Sequence, residues 1–247
     1  MSEEKIVTAS FLIIGDEILS GRTIDQNLNF LAQNLSEIGI KLLEVRVVPD
    51  VEDEIIAAIN ALRAKFDYVF TSGGIGPTHD DITSSSVAKA FNDDFILNKE
   101  AEQILYKHYG KENINEASLK MAYLPKSAKL LDNPVSSAPG FNIENVFVMA
   151  GVPKIFQAMF NIAKNQLKTG KKIKSHEITL NMKESEIAKD LADKQQQYPS
   201  VSMGSYPANG KTSLVLRSAD YEALEKSKDE LLEIIKKIDS SLIIEIK

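Results

Sequence analysis

The fold of this chain is decided by residues 67–83, which read Asp67-Tyr68-Val69-Phe70-Thr71-Ser72-Gly73-Gly74-Ile75-Gly76-Pro77-Thr78-His79-Asp80-Asp81-Ile82-Thr83. The stretch begins as an apolar run of β-branched and aromatic residues, which predicts a buried strand. It then breaks at three glycines in four residues and offers Asp81 and Thr83 as N-cap residues for an amphipathic helix over 84–91. Because glycines let the backbone approach a ligand and a helix start offers free N–H groups, the stretch predicts an anion site.

Two neighbouring carboxylates make this anion site unusual. Asp80 and Asp81 would repel a phosphate unless a divalent cation lay between them, so the stretch predicts phosphate together with a metal. The alternative is a tight turn whose aspartates only cap the following helix. Glycine spacing alone does not separate the two interpretations.

Length and composition place the chain among ordinary globular proteins. It has 247 residues, of which 43% are hydrophobic and 26% charged, enough for one or two domains with a substantial core. A net charge of -6 argues against a general nucleic-acid surface. The absence of cysteine excludes disulfides and thiolate chemistry. The polar N-terminus and the lack of a long apolar run predict no signal peptide and no membrane span, hence a cytoplasmic protein.

Strand and helix patterns alternate over the first two thirds of the chain. The pattern predicts strands at 8–14, 40–48 and 67–72, separated by helices that start at Asp25 and Val51, with Asp50 as the cap of the second helix. Two short helices over 99–123, strands at 128–131 and 145–149, and a helix from Pro153 to about Leu167 follow. This order predicts an α/β fold: a three-layer, largely parallel sheet covered by helices on both faces.

The carboxyl ends of these strands carry the polar residues. Ligands of parallel α/β sheets bind outside those ends, so the acidic groups that follow the strands are expected to meet there. Their oxygens suit Mg²⁺, Mn²⁺ or a similar hard cation, although capping and solvation would also explain them. The acids concerned are Asp16, Glu17, Asp50, Asp80 and Asp81.

The remaining candidates are hydroxyls and one histidine. Ser72, Thr78, Ser136 and Ser137 are interpreted as hydrogen-bond donors to a ligand, with ordinary turn hydroxyls as the alternative, since no Gly-x-Ser-x-Gly elbow is present. His79 could act as an acid, a base or a phosphate donor, or be a surface histidine. His108 and His176 fall outside this convergence and are interpreted as structural. The loop over 133–140 and the turn at Gly151 could line the same cleft.

The last third of the chain has its own pattern. A lysine-rich linker over 169–175 separates a domain at 1–168 from a small domain at 176–247. The small domain reads strand, helix, strand, strand, helix, strand, which predicts a ferredoxin-like α+β fold. Residues 207–210, Pro-Ala-Asn-Gly, predict a hairpin turn.

Three motifs carry a resemblance to a known family. They are Gly15-Asp16-Glu17-Ile18-Leu19-Ser20-Gly21 with Asp25 and Asn27, the string over 72–83, and Ser137-Ala138-Pro139-Gly140. Over about residues 8–167 the chain resembles the molybdopterin-binding (MoCF) domain, and within it the amino-terminal part of the competence/damage-inducible protein A (CinA) family. The Glu184-Ser185 helix and Gly204-Ser205-Tyr206-Pro207 are similar to the family's small second domain.

The resemblance implies hydrolysis of a pyrophosphate bond in ADP-ribose-like or FAD-like nucleotides, helped by a divalent cation (Mg, Mn or Co) and potassium. It implies metal ligation by Asp50 and Asp81, and fusion of related domains to FAD synthases. It also implies a homo-oligomer, expected to be a dimer. With the pattern, it makes Asp50, Asp80, Asp81 and His79 the catalytic candidates. The predicted substrate-binding residues are Gly15, Asp16, Glu17, Asp25, Asn27, Ser72, Gly73, Gly74, Gly76, Pro77, Thr78, Thr83, Asn133, Ser136, Ser137, Pro139, Gly140 and Gly151.

Two departures from the family and two alternative functions stand beside this hypothesis. The sequence ends at Lys247, so the family's carboxy-terminal amidase activity is not expected. Ala150-Gly151-Val152-Pro153 replaces the Pro-Gly-x-Pro of many relatives, which affects the expected geometry beside Gly151.

The alternatives to a pyrophosphatase are a molybdopterin-binding protein of molybdenum cofactor synthesis and a non-catalytic nucleotide-binding module. The predicted partner in each case is a nucleotide or pterin phosphate, with neither nucleic acid nor membrane.

Overall fold

The computed structural model describes residues 6–208 and 210–247. The polar N-terminal residues 1–5 and Asn209 of the predicted hairpin turn lie outside these residues. The chain divides into two compact units, Met1–Gly170 and Lys171–Lys247. The division falls inside the segment 169–175 that the sequence assigns to a linker, and each unit is described by itself below.

The first unit alternates strands and helices as the pattern predicts. In chain order its elements are β1 (Val7–Ile14), α1 (Asp16–Leu19), α2 (Asn27–Glu37), β2 (Ile40–Val48), α3 (Glu52–Lys65), β3 (Tyr68–Ser72), α4 (Thr83–Ala90), β4 (Phe95–Leu97), α5 (Lys99–Tyr109), α6 (Glu116–Lys120), β5 (Tyr123–Pro125), β6 (Lys129–Leu131), β7 (Gly140–Ile143), β8 (Val146–Met149) and α7 (Pro153–Ala163), followed by a 3-10 turn at Lys164–Gln166.

A six-stranded sheet in the order β2-β1-β3-β8-β7-β6 forms the centre of this unit. Its first four strands are parallel, and the register pairs Ile14 with Val48, Ile13 with Ser72, and Ser72 with Met149. The four carboxyl ends therefore lie at one edge of the sheet. This alignment brings the segments that follow β1, β2, β3 and β8 to the same side of the molecule.

Apolar residues of the strands alternate between two cores, one on each face of the sheet. Phe11 and Phe70 pack with α2 and α7 on one face, where Phe70 stacks on Phe147 at a centroid distance of 5.4 Å. Leu12 and Val69 pack with α3, α4 and α5 on the other. Because side chains point alternately to the two faces of a strand and both faces are covered, the central strands are apolar throughout. The predicted three-layer α/β architecture is confirmed.

Several local predictions in this unit are wrong. Helix α4 begins at Thr83 without a side-chain cap, because Asp81 and Thr83 use their side chains inside the preceding turn. Asp50 does not cap α3, since its carboxylate accepts the N–H of Asp16 instead. Gly140 begins strand β7 rather than ending a loop. The short helix α1 and the β4-β5 ribbon have no counterpart in the predicted pattern.

The second unit is the predicted small α+β domain. It contains β9 (Lys174–Leu180), α8 (Glu184–Gln197), β10 (Ser202–Ala208), β11 (Lys211–Ser218), α9 (Tyr221–Asp239), a 3-10 turn at Ser240–Leu242, and β12 (Ile243–Ile246). The sheet order β10-β11-β9-β12, with antiparallel pairing between all neighbours, is that of a ferredoxin-like fold. Strand β9 begins two residues earlier than the pattern predicts, within the assumed linker.

Within 6–208 and 210–247, no helix is both long enough and apolar enough to cross a lipid bilayer.

Candidate functional site

A cleft of about 560 Å³ opens at the edge of the first unit's sheet where the parallel strands end. Its volume is in the range of small-molecule sites. We call the side made by the strand ends the inner wall and the side made by α5, α6 and the 133–138 loop the outer wall. The cleft is lined by Glu17, Thr23, Gly73, Gly74, Ile75, Gly76, Pro77, Asp81, Tyr109, Met121, Asn133, Ser136, Ala138, Ala150, Gly151, Val152, Pro153 and Ile155.

Two glycines fix the path of the turn after β3. Gly73 has a φ of 108°, and a Cβ there would lie closer than 3.0 Å to the backbone carbonyl oxygen of Ile14. Gly74 has a φ of 68°, and its Cβ would meet the Thr83 hydroxyl. That hydroxyl donates to the Gly73 carbonyl at 3.0 Å, and the Thr83 N–H donates to the Gly74 carbonyl at 2.9 Å. The start of α4 is thus bonded directly to the glycine-rich turn.

The same turn leaves main-chain donors free at the cleft. The N–H groups of Gly74, Ile75 and Gly76 donate to no acceptor among the residues that the structure describes. Consecutive glycine amides of this kind form an anion-binding concavity, since their partial positive charges can point at one ligand. These three N–H groups are the donors that the phosphate site predicted from the sequence would use.

Asp81 is held by the turn that contains it. Its Oδ2 accepts the N–H of Thr78 at 2.8 Å and also accepts the Thr78 hydroxyl. A Cβ at Gly76 would lie 2.7 Å from this same Oδ2, so the glycine leaves room for the carboxylate. One carboxylate oxygen is thus occupied within the turn, while the side chain still lines the cleft.

Asp50 stands in a strongly acidic corner next to the cleft. Its Oδ2 accepts the N–H of Asp16 at 3.0 Å, at the start of α1. Burial raises the pKa of the Asp50 carboxyl above its ordinary value, and the negative charges of Asp16, Glu17 and Asp80 raise it further. Asp80 behaves in the opposite way, because the Thr78 hydroxyl beside it lowers the pKa of its carboxyl. Three acids from two neighbouring strand ends therefore repel the ionised Asp50 carboxylate.

Asn27, at the first position of α2, fastens two strand ends together. Its amide nitrogen donates to the Ser72 hydroxyl at 2.9 Å and to the Gly151 carbonyl at 2.8 Å. The side chain is only 2% exposed, and its Oδ1 has no partner among the described residues. A smaller hollow of about 50 Å³ lies beside it, lined also by Asp25 and Gly73. Asn27 and Ser72 therefore do not line the cleft but hold together the strand ends that form its inner wall.

The outer wall combines predicted residues with two that sequence reasoning missed. Asn133 organises the loop after β6: its Oδ1 accepts the N–H groups of Val135 and Ser136, and its amide donates to the Ala138 carbonyl. Tyr109 and Met121, at the end of α5 and just after α6, complete the wall. No sequence motif marks either residue as part of a site, and Met121 also packs against the core of this unit.

Side chains attach the outer wall to the rest of the cleft. Lys120 of α6 donates to the Thr78 carbonyl in the glycine-rich turn. The Ser137 hydroxyl lies 3.0 Å from Nδ1 of His108 on α5. His108 is therefore connected to the loop of the outer wall, although neither His108 nor Ser137 lines the cleft itself.

The other predicted site residues lie around the cleft rather than in its lining. Thr83 is buried in the turn, and Gly15 donates its N–H to the Val48 carbonyl at 3.2 Å. The His79 side chain is 99% exposed and lies 4.0 Å from Asp80. Gly140 has the carbonyl of Val148 where a Cβ would stand, so it serves strand pairing. The remaining predicted residues outside the lining are Asp16, Asp25, Asn27, Asp50, Ser72, Thr78, Asp80, Ser137 and Pro139.

The acidic side chains in and beside the cleft are the groups that would hold the divalent cation implied by the resemblance. Within 6–208 and 210–247, no three histidine or acidic side chains converge closely enough to hold a metal by themselves. The donor set is nevertheless all oxygen, and Asp50 carries a raised pKa that a nearby cation would reverse. Mg²⁺ typically uses one or two carboxylates together with substrate phosphates and water. The residues present fit a cation that arrives with a phosphate ligand.

Comparison with protein families identifies the class of this chain. Residues 10–169 match the family described as the probable molybdopterin binding domain, and residues 172–241 match the FAD synthase middle domain. The chain therefore belongs to the molybdopterin-binding (MoCF) domain family. Within that class it is a member of the CinA family, as its relatives and a solved structure indicate.

Three relatives and structures illustrate this membership. A putative competence-damage inducible protein of Clostridium botulinum is 31% identical over 240 residues, covering 93% of this chain and 58% of that protein. A probable FAD synthase of Caenorhabditis briggsae is 31% identical over 258 residues, covering 92% of this chain but 49% of the relative. The protein CinA from Thermoplasma acidophilum, described as of unknown function, is 34% identical with a TM-score of 0.62, over 64% of this chain and 96% of that one. The chain thus spans about half the length of the first two.

Proposed function

We propose that the chain is a divalent-cation-dependent pyrophosphatase that hydrolyses ADP-ribose-like or FAD-like dinucleotides. The observation that carries this proposal is the meeting of free glycine amides with the carboxylates of Glu17 and Asp81 in one cleft, with the acidic corner around Asp50 next to it. Amides suit the phosphate oxygens of such a substrate, and carboxylates suit a cation that neutralises them. Relatives described as probable FAD synthases, and the match of 172–241 to the FAD synthase middle domain, support a role connected with FAD.

Each wall of the cleft would have a separate task. The amides of Gly74, Ile75 and Gly76 would bind the two phosphates, and Thr83 would hold these amides in place through the turn. Asp50 and Asp81 would hold the cation, which when bound supplies charge neutralisation at the phosphates and a more acidic water. His79 and Asp80, both exposed next to the turn, are assigned to proton transfer at the leaving phosphate.

Turnover measurements on the full chain test this proposal. ADP-ribose and FAD are incubated with Mg²⁺, Mn²⁺ or Co²⁺, with and without K⁺, and the release of AMP is measured. We expect cation-dependent release, and a loss of about a hundredfold in kcat for Asp50→Asn and for Asp81→Asn, since each removes one charged ligand. Asp53→Asn, an exposed acid in the first turn of α3, is the matched control and should leave turnover unchanged.

Two outcomes contradict the assignment. The wild-type chain would release no AMP from either dinucleotide under any of these conditions, or the Asp81→Asn chain would turn over as fast as the wild type. Partial loss restricted to Asp50→Asn would leave Asp50 as the ligand and remove Asp81 from the site.

A second candidate function follows from the family description of residues 10–169 as a probable molybdopterin binding domain. It is binding of a pterin phosphate in molybdenum cofactor synthesis. A pterin phosphate that stabilises the chain without any cation-dependent release of AMP from dinucleotides would favour it. Saturable binding of ADP-ribose without product would instead favour a non-catalytic nucleotide-binding module.

The homo-oligomer, a dimer, remains a separate proposal drawn from the family resemblance. Light scattering of the full chain at its working concentration tests it. A mass near twice 27.3 kDa supports the dimer, and a mass near 27.3 kDa refutes it.

A further inference from the structure

The outer wall of the cleft presents an aromatic ring that phosphate binding does not use. Tyr109 is the last residue of α5, and its side chain is 37% exposed while lining the cleft. Met121 and Ala138 line the same wall, and neither carries charge. The acids of the lining, Glu17 and Asp81, both come from the inner wall. The cleft thus has an ionic side and an uncharged aromatic side.

The orientation of the Tyr109 ring is set by a chain of contacts. Its ring meets the His108 ring edge to face, with centroids 4.7 Å apart and an interplanar angle of 88°. His108 in turn lies within hydrogen-bond distance of the Ser137 hydroxyl, at 3.0 Å. Ser137 has a φ of 60°, a conformation that a non-glycine residue adopts only when its surroundings enforce it. Here the Asn133 side chain enforces it by bonding to the loop on both sides.

We propose that Tyr109 is the stacking platform for the flat heteroaromatic ring of the ligand, and that His108 is a positioning residue for it. When such a ring stacks on an aromatic side chain, the gain in binding free energy depends little on the substituents of the ring. The inference rests on the proposed function only in assuming that the glycine-rich turn takes the ligand's phosphates. It adds the requirement that the ligand carry a planar base, such as adenine, isoalloxazine or pterin.

Calorimetric binding to the full chain tests the platform independently of turnover. The probes are AMP, FMN and neopterin monophosphate as ring-bearing ligands, and inorganic pyrophosphate as the ring-free ligand, all with Mg²⁺. We expect Tyr109→Ala to weaken binding of the preferred ring-bearing probe by about 5- to 150-fold, the range that corresponds to loss of one stacked base. Pyrophosphate affinity should stay within about twofold, and Tyr109→Phe should retain most of the ring-dependent affinity because it keeps the ring.

A tyrosine one turn earlier provides the matched control. Tyr106 also lies on α5, but its hydroxyl bonds to Glu102 and it does not line the cleft. Tyr106→Ala should therefore leave all affinities unchanged. The probe that loses affinity in Tyr109→Ala identifies the ring as nucleobase, flavin or pterin.

The positioning role of His108 requires a double-mutant cycle. His108→Ala should weaken the binding of ring-bearing probes in the wild-type background. It should have no further effect in the Tyr109→Ala background, because His108 acts only through the Tyr109 ring. His108→Asn, which keeps a polar atom near the Nδ1 position, should restore part of the affinity. Additive losses in the cycle would remove His108 from this role.

The platform is overturned if Tyr109→Ala leaves every ring-bearing probe unchanged, if it weakens pyrophosphate equally, or if the wild type binds no ring-bearing probe. These results differ from a failure of the proposed function, which is judged by AMP release alone. A chain that binds AMP through Tyr109 but hydrolyses nothing would keep the platform and refute the enzyme.

Discussion

The two walls of the cleft are built by different kinds of contact. The inner wall is formed by strand ends whose register is fixed by main-chain hydrogen bonds, and its turn allows no side chain at Gly73. The outer wall is formed by α5, α6 and the 133–138 loop, which attach through Lys120, His108 and Asn133. If the inner wall binds phosphates and the outer wall binds a ring, as proposed, the site is rigid on its phosphate side and adjustable on its ring side.

This difference teaches which part of the site could vary among relatives with the same motif. Main-chain contacts depend on the fold, so a substitution in the inner wall affects folding and binding together. Contacts made by side chains at the surface contribute little to stability, so substitutions in the outer wall can change the ligand without unfolding the domain. Three predictions on the inner wall examine this contrast, from the largest expected effect to the smallest, and the first of them is paired with a variant of the outer wall.

The largest effect is expected at Gly73. In Gly73→Ala the new Cβ would collide with the Ile14 carbonyl at a φ that L-residues avoid, so we expect a loss of about 3 kcal/mol or more in the free energy of unfolding. Urea unfolding measures it. Gly21→Ala is the control, since Gly21 also has a positive φ of 73° but nothing within 4 Å, and it should cost about 1 kcal/mol.

The contrast between walls appears when Tyr109→Ala is unfolded beside Gly73→Ala. The outer-wall variant should stay within about 0.5 kcal/mol of the wild type, as is usual for a substitution at a partly exposed position. Equal losses in the two variants would break the distinction between a rigid and an adjustable wall.

An intermediate effect is expected at Asn27. Asn27→Ala removes the donor to the buried Ser72 hydroxyl and to the Gly151 carbonyl, which should lower the free energy of unfolding by about 2 kcal/mol. Asn34→Ala lies on the same helix and loses only a bond to the Phe30 carbonyl within that helix, so it should cost less than about 1 kcal/mol. If Asn34→Ala is the more harmful of the two, Asn27 does not fasten the inner wall.

The smallest effect concerns charge at the inner wall and has a defined sign. The folded-state pKa of Asp50 is raised, so its contribution to stability is present below the ordinary carboxyl pKa and is lost as pH rises through the raised value. Asp50→Asn should therefore raise the melting temperature modestly at neutral pH and leave it unchanged in acid. For Asp80 the pKa is lowered, and Asp80→Asn should lower the melting temperature at neutral pH.

Melting curves between about pH 3 and pH 7.5 distinguish the two signs, since the ordinary carboxyl pKa lies near 4. A Tm that rises in both variants would mean that repulsion dominates the whole acidic corner. A Tm that falls in both would mean that Asp50 is stabilised by its bond to the Asp16 amide more than it is opposed by its acidic neighbours.

Much of the inner wall could be predicted from the sequence. Gly73 and Gly74 stand out because their chemistry is local: a turn that requires a positive φ needs glycine whatever the surroundings. Gly76 has no positive φ and instead leaves room for the Asp81 carboxylate. The acids at 50 and 81 stand out because they follow predicted strand ends. The helix caps were predicted wrongly for a related reason. Asp50, Asp81 and Thr83 are good cap residues by type, but their side chains bond elsewhere. Asp81 bonds to Thr78 within its own turn, whereas Asp50 accepts the N–H of Asp16 and Thr83 donates to the Gly73 carbonyl, and no residue-type pattern distinguishes these partners from a cap.

The sequence alone determined the alternation of strands and helices, the small second domain and the glycine-rich turn, because each follows from periodicity and backbone sterics within a few residues. Only the tertiary structure decided that Tyr109, Met121 and Lys120 face that turn, and that His108 bonds to Ser137. The physical reason is distance along the chain. The register of the sheet and the packing of α5 and α6 bring together side chains some 30 to 40 residues apart, and such contacts leave no period in the sequence.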